Sequence, residues 1–307
     1  MKFLITGANG DIAISICRII KQHFKRSIID GSDIVDAGPG EIYYNHIHKV
    51  LKPSNKNYLN QIKKLTKAYK IIIPTTEEEI IFFSKNRNIF KNKILLINSK
   101  FIIDTFSSKL KTFKFLKKNK ISTPKFCLKL TKIKSYKEPF FIKLDKGHGN
   151  KNYKLINSQK GFNKLNKLDK KKWIAQEFLN YKYDEYTCAV IKLDNFEDVL
   201  ILKRKLNKGY TYYAELVDNM KLKNILLNLA QKIKLCGSIN IQLKINKQRF
   251  AIFEINPRLS STVMMRNKIG FTDCIWWINY FLKKKIKRSN IKKKVKIIKF
   301  FDEKIIY

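Results

Sequence analysis

Residues 2–6, Lys-Phe-Leu-Ile-Thr, make a short apolar run that stops at Gly7-Ala8-Asn9-Gly10, and apolar residues return with helical spacing at Ile12, Ile16, Ile19 and Ile20. This pattern predicts a strand, a tight turn and a helix. The alternation repeats: strands over 27–30, 70–74 and 94–98, and helices over 58–69 and 77–84. Strands interleaved with amphipathic helices predict a parallel α/β layer over the first hundred residues.

The character changes after Ser107. A lysine-rich amphipathic helix is predicted over 109–118, with Leu110, Phe113 and Leu116 spaced for burial, and Pro124 follows. Strands over 140–144 and 153–156 flank a polar loop, Asp145 to Asn152. Further on come strands over 185–193 and 196–206, a helix over 219–235, a hairpin, and late strands over 295–301 and 304–307. The order of strands, helix and strands predicts an α+β unit after the α/β layer, with a boundary near residue 104.

The hairpin carries the most specific chemistry. Gly237-Ser238-Ile239-Asn240-Ile241-Gln242 and Phe253-Glu254-Ile255-Asn256-Pro257-Arg258 set a carboxylate, two amides and a guanidinium into apolar strands. Side chains alternate faces along a strand, so Glu254 and Asn256 share one face while Phe253 and Ile255 are expected in packing. A turn near Gln248 would set Gln242 opposite Glu254. One carboxylate with two amide oxygens suits Mg²⁺, which shares its octahedron with substrate phosphates and water. Arg258 adds a planar set of donors matched to phosphoryl oxygens. The glycine-containing, basic loop after residue 144 could fold over phosphates through backbone N–H groups, with Lys143 beside it as a point charge.

Composition narrows the classes. At 307 residues with 44% hydrophobic content, the chain can build real cores. No stretch reaches membrane-spanning length, and the N-terminus lacks a signal-peptide pattern, so a cytoplasmic location is expected. Cys17, Cys127, Cys188, Cys236 and Cys274 have no paired spacing and read as buried free thiols. His46 and His48 share a strand face without a third metal ligand. The net charge of +41 would suit a nucleic-acid partner, but 57 of the 65 basic residues are lysines spread along the chain beside abundant Ile, Asn, Phe and Tyr. Those residues all have A/T-rich codons, so base composition accounts for the charge and nucleic acid is disfavoured. The local run from Lys283 to Lys294 reads as a solvated face.

Two further readings are carried. A nicotinamide-dependent sugar epimerase or reductase would use the Gly7/Gly10 turn, with Asp30 ending the second strand as a ribose-binding acid. Against it, Ala13 stands where a third glycine is expected, and Asp11 would repel a pyrophosphate. The other reading is a non-catalytic basic nucleic-acid-binding protein.

The motif order resembles the ATP-grasp superfamily, in particular single-unit proteins similar to half of the carbamoyl-phosphate synthase large chain. The resemblance spans nearly the whole chain, from Leu4-Ile5-Thr6-Gly7 and Ile73-Pro74-Thr75-Thr76-Glu77-Glu78-Glu79, through Ser108-Lys109 and Ile121-Ser122-Thr123-Pro124, to Glu254-Ile255-Asn256-Pro257-Arg258. It implies a mixed fold, α/β and α+β. An N-terminal Rossmann-like pre-ATP-grasp domain would occupy 1–104. A two-lobed ATP-grasp domain would occupy 105–290, its nucleotide lobe about 105–180 and its metal-binding and catalytic lobe about 181–290, with C-terminal strands over 291–307.

The resemblance also implies roles. Lys109 and Lys143 would bind ATP phosphates, and Gly147 and Gly149 would belong to the closing loop. Gln176, Glu177, Phe178 and Leu179 would form the adenine hinge, and Glu185 would hold the ribose. Gln242, Glu254 and Asn256 would hold Mg²⁺, with Mn²⁺ as an alternative ion. Arg258, Lys143 and Glu254 would be catalytic. The activity implied is an ATP- and Mg²⁺-dependent ligase that activates a carboxylate as an acyl phosphate for attack by an amine, as in tailoring of a surface sugar or small peptide, with a homodimer as the expected assembly. Acceptor-side candidates are Arg204, Lys205, Tyr210, Tyr212, Tyr213 and Glu77, suited to a small anionic substrate. The departures are Leu144 in place of a proline, Asn150 in place of Ser or Thr, Ser260-Ser261 in place of Ser-Gly or Ser-Arg, and a slightly long spacing from hinge to Glu185.

Overall fold

The fold is that of a computed structural model, which describes residues 1–147, 153–167, 172–180, 182–247, 249–292 and 294–300. The first layer is a parallel sheet of β1 (Lys2–Thr6), β2 (Ile28–Asp33), β3 (Ile47–Lys49), β4 (Ile71–Ile73) and β5 (Ile94–Leu95), in the order β3-β2-β1-β4-β5. Helices α1 (Asp11–His23), α2 (Tyr58–Thr66), α3 (Glu77–Lys85) and α4 (Lys100–Phe106) connect and follow these strands. Central β1 is covered on both faces, which is why Phe3, Leu4 and Ile5 form an unbroken apolar run, not an alternating one.

The second layer is antiparallel, with β6 (Cys127–Lys129), β7 (Phe140–Leu144), β8 (Tyr153–Ile156) and β9 (Trp173–Glu177) in the order β6-β9-β7-β8. Helix α5 (Lys109–Lys118) precedes it and α6 (Gln159–Asn163) lies within it. Its own small core joins Leu130, Phe140, Ile142, Ile156, Leu165 and Ala175.

The third layer holds β10 (Asp184–Leu193), β11 (Phe196–Asn207), β12 (Tyr210–Leu216), β13 (Gly237–Ile245), β14 (Phe250–Asn256) and β15 (Lys296–Ile298), ordered β14-β13-β10-β11-β12-β15. Helix α7 (Met220–Lys232), capped by the Asn219 side chain on Leu222 N, buries Leu226 and Leu229 with Cys188, Val190, Ile239 and Ile241. The opposite face of the sheet packs with α8 (Val263–Lys268) and α9 (Asp273–Phe281). There Trp276 and Trp277 share one core with Ala189, Ile191 and Leu202, and with Phe3, Ile16 and Ile20 of the first layer.

Several expectations shift. Strand β2 runs on to Asp33, so Asp30 lies inside it, and the helix read over 58–69 ends at Thr66. Strand β5 stops at Leu95, after which the side chain of Asn98 takes over the bonding described below. The tyrosine-rich segment after Gly209 is a full strand, β12, whose alternation is hidden because its outward residues are aromatic. Cys236 is exposed while the other four thiols are free and buried, so the buried reading fails there. Of the late strands only 296–298 is seen; residues 301–307, and with them the expected strand over 304–307, lie outside the described residues. Among the described residues no helix is long and apolar enough to cross a membrane.

Candidate active site

Along β13 the polar residues Ser238, Asn240, Gln242 and Lys244 alternate with Ile239, Ile241, Leu243 and Ile245, so one face of the strand is polar and the other enters the core. Strand β14 pairs antiparallel to it, with Asn240 opposite Asn256 and Gln242 opposite Glu254, the register anticipated from the hairpin. Past Gln242 the register slips and Leu243 faces Ile252. Phe253 is therefore the extra residue of a bulge. It is half-buried, with the Lys143 Nζ 5.9 Å from its ring centre, which corrects its expected place in the packing. Asn256 Nδ2 donates to Glu254 Oε1 at 3.1 Å. The expected turn residue, Gln248, lies outside the described residues; beside it, Asn246 N donates to Arg249 O and Arg249 N to Asn246 Oδ1.

Across from this face stands the end of β7. Lys143 has its ammonium pulled below the usual lysine range, first by burial and then by Lys109, while Glu254 opposes the shift. A cation held in that state is poised to gain from a polyanion. Lys109, at the start of α5, donates from Nζ to Gly147 O at 2.9 Å. Gly147 has φ of +103° and open space where a Cβ would stand. Gly149 lies outside the described residues. Asp145 is a residue that motif reading passed over. Its carboxylate accepts from Ser108 Oγ and Leu110 N, both at 2.9 Å, and its carbonyl accepts from Lys109 N. It ties the N-terminus of α5 to the end of β7 and so fixes Lys109 beside Lys143; the helix start it caps is 37 residues away in sequence, so no local signal marked it.

The hinge residues end β9 and leave it. Gln176 is buried between Phe141 and Cys127 on the neighbouring strands. The Glu177 carboxylate accepts from Arg249 Nη2 at 2.6 Å and from the backbone N of Lys125, so it is held by neighbouring structure. Phe178 meets Phe141 edge-on at 5.0 Å, and the Leu179 carbonyl accepts from Lys244 Nζ at 2.9 Å. Glu185, opposite Lys244 on β10, accepts from Arg204 Nη2 at 2.7 Å. The same guanidinium donates to Gln242 Oε1 at 2.9 Å and to Thr211 Oγ1 at 3.3 Å. Arg204, considered above for the acceptor side, thus lies between the expected ribose acid and an expected metal ligand.

On the remaining side Arg258 is half-buried; burial lowers its affinity for the proton, and Glu77 and Glu254 oppose that. Its loop is anchored by a dry polar network. Arg266 meets Asp273 through two hydrogen bonds of 2.8 Å and donates to Ser260 and Thr262, while Ser238 donates to Asp273. Asn98 Nδ2 donates to Ser238 O and Pro257 O, joining the first layer to both hairpin strands. The other acceptor candidates do not converge: Tyr210 and Tyr212 are exposed, Tyr213 donates to Glu215, and Lys205 stacks on Tyr213 at 5.4 Å.

The Gly7–Gly10 turn is filled by protein. Asn9 N donates to Asp33 Oδ2, Asn9 Oδ1 accepts from Gly40 N, and a Cβ on Gly38 or Gly40 would meet the Asn9 side chain within 3 Å. Asp30 accepts from Tyr69, and Asp11 pairs with Lys299. These contacts occupy the groups a dinucleotide would need, which weighs against the reductase reading.

Among the described residues there is no cluster of three His, Cys, Asp or Glu side chains, so a soft-metal centre is not indicated there. One carboxylate and two amide oxygens on a shared face, beside cations able to hold phosphates, are a donor set that fits Mg²⁺ bound together with a nucleotide.

Comparison with known proteins meets this geometry. A family model described as ATP-grasp in the biosynthetic pathway with Ter operon matches residues 169–301. No curated protein sequence matches the chain. N5-carboxyaminoimidazole ribonucleotide synthetase from Thermus thermophilus has a TM-score of 0.78 at 10% identity, over 99% of this chain and 84% of that one. The synthetase from Staphylococcus aureus complexed with ADP gives 0.73 at 15%, over 94% and 79%. A biotin carboxylase β-γ-ATP complex from Campylobacter jejuni gives 0.70 at 18%, over 96% and 74%. The family model thus matches the region that carries the hairpin, and along nearly its whole length the chain shares the fold of these synthetase and carboxylase structures, an α/β layer followed by two antiparallel sheets.

Proposed function

We propose that the protein is an ATP- and Mg²⁺-dependent ligase that activates a carboxylate as an acyl phosphate and joins it to an amine, releasing ADP and phosphate. The observation that carries the reading is the register Gln242–Glu254 and Asn240–Asn256, which sets an oxygen-donor face against Lys143 and Arg258. The structures it resembles are of an ADP complex and a β-γ-ATP complex, among others.

Glu254, Gln242 and Asn256 would hold Mg²⁺, which when bound neutralises and orients phosphate oxygens. Lys109 and Lys143 would draw the phosphates to the mouth of the Gly147 loop, and Arg258 would stabilise the phosphoryl group as it passes to the carboxylate oxygen. The bond from the γ-phosphorus to the β-γ bridging oxygen breaks, and ADP leaves with that electron pair. The amine then displaces phosphate from the acyl carbon and loses a proton. Gln176 to Leu179 would seat the adenine and Glu185 the ribose hydroxyls. A small anionic carboxylate suits the cationic cleft.

The test is phosphate release from Mg²⁺-ATP across a pooled set of amino acids, sugar acids and amines, comparing wild type with Glu254→Ala. Substrate-dependent release in wild type, reduced at least about a hundredfold in the variant, is expected. Equal release in both would remove Glu254 from the reaction and overturn the assignment.

A further inference from the structure

We infer that Lys244 is a nucleoside-binding residue of this site, holding the base and ribose end of the nucleotide and not its phosphates. The inference rests on the nucleotide reading above and adds a residue that no motif supplied. Three independent placements carry it. Lys244 is two residues beyond Gln242 on β13, with unbroken pairing to β10, so both side chains leave the same polar face. It stands directly opposite Glu185, and its Nζ is 3.8 Å from Glu185 Oε2. That same Nζ reaches across to the other sheet and donates to the carbonyl of Leu179, the last hinge residue.

One ammonium therefore bridges the segment expected to face the base and the acid expected to face the ribose. The cations expected on the phosphate side, Lys109 and Lys143, belong to other elements, α5 and β7. An ammonium has three N–H donors, and the Leu179 carbonyl engages one. A nucleoside offers acceptors at its ring nitrogens and ribose oxygens within the space framed by Leu179 and Glu185. Burial draws the Lys244 proton affinity down, Glu185 raises it, and Arg204 lowers it again. Its side chain is only 21% exposed, so its charge is poorly solvated before any ligand arrives. A surface lysine making a chance contact would keep its water.

Binding of Mg²⁺-ADP and of Mg²⁺-tripolyphosphate, measured by calorimetry for wild type, Lys244→Met and Lys244→Arg, tests this. We expect Lys244→Met to weaken ADP about tenfold, the scale of a lost hydrogen bond from a charged donor, with tripolyphosphate affinity unchanged and much of the loss recovered in Lys244→Arg. Equal weakening for both ligands would mark a general charge or folding effect and overturn the inference. An unchanged ADP affinity would overturn it too. Failure of the wild-type protein to bind ADP at all would instead bring down the nucleotide reading and this inference with it.

Discussion

Glu79 offers a test of the α/β layer that needs no substrate. It is the third glutamate of Glu77-Glu78-Glu79 at the start of α3, is 5% exposed, and lies beneath the Gly7 turn. Thr76 Oγ1 donates to its Oε2 at 2.7 Å and the Tyr58 hydroxyl to its Oε1 at 3.3 Å. These bonds favour the carboxylate, yet burial outweighs them and Asp33 adds repulsion, so the carboxyl is pushed up from 4.5 to about 7. Below pH 4.5 the group is protonated whether the chain is folded or not, and it contributes nothing. Between about pH 4.5 and 7 the unfolded chain loses the proton and the folded chain keeps it, so stability falls as pH rises. Above pH 7 the full cost, about 3 kcal/mol for this shift, is present. Glu79→Gln removes the ionisation and keeps the shape, and the nearby buried Thr6 hydroxyl, which favours the carboxylate, can accept from the new amide. Urea unfolding of both proteins at pH 5, 6, 7 and 8 should give near-equal stabilities at pH 5 and a variant more stable by about 2–3 kcal/mol at pH 8. A difference that stays constant from pH 5 to 8 would refute the argument, because it would mean that Glu79 titrates alike in the folded and unfolded chains.

Other consequences can be measured in the same way. Asp273→Asn leaves the Arg266 guanidinium buried without its counter-charge and should destabilise the fold by about 3–5 kcal/mol in urea unfolding, whereas replacing both partners with apolar residues of similar volume should recover much of the loss. If Lys143 holds the phosphates as proposed, Lys143→Met should weaken Mg²⁺-ADP binding in calorimetry by about tenfold or more, because a desolvated cation is lost, without lowering stability, because an unfavourably buried charge is lost with it.

Much of the frame was legible because its signals are local. The 109–118 helix and the strands at 140–144 and 153–156 were read with the observed bounds, since each has a clean apolar period between turn residues. The hairpin register was legible for a related reason: polar residues at every second position allow one pairing that keeps both polar faces together. Where long-range contacts decide, the sequence was silent. Nothing local shows that Phe253 will be squeezed out as a bulge, that Arg204 will cross β10 to reach Gln242, or that Lys244 will find a carbonyl 65 residues away. Strand β12 was missed because Tyr210 and Tyr212 point outward and erase the polar half of its alternation. Asp30 was taken for the end of β2 because Gly31 looks like a break, whereas it is buried in the sheet where a Cβ would strike Ala8 at 2.5 Å.

The contrast between the two kinds of cation also bears on how the protein meets salt. Of its eight arginines, seven have their guanidinium on a defined partner: Arg18 on Tyr43, Arg87 on Asn98 O, Arg204 on Glu185, Arg249 on Glu177, Arg258 on Leu259 O, Arg266 on Asp273 and Arg288 on Glu197 O. The 57 lysines supply most of the net charge. The molecule thus has two electrostatic populations. The exposed lysines form a loose outer atmosphere whose field fades within about 8 Å at physiological ionic strength. Five of the guanidinium groups, on Arg87, Arg204, Arg249, Arg258 and Arg266, belong to buried or half-buried side chains and are less open to dissolved ions, whereas Arg18 and Arg288 are exposed. Raising ionic strength should therefore strip away long-range attraction for any anion while leaving the framework of the cleft in place.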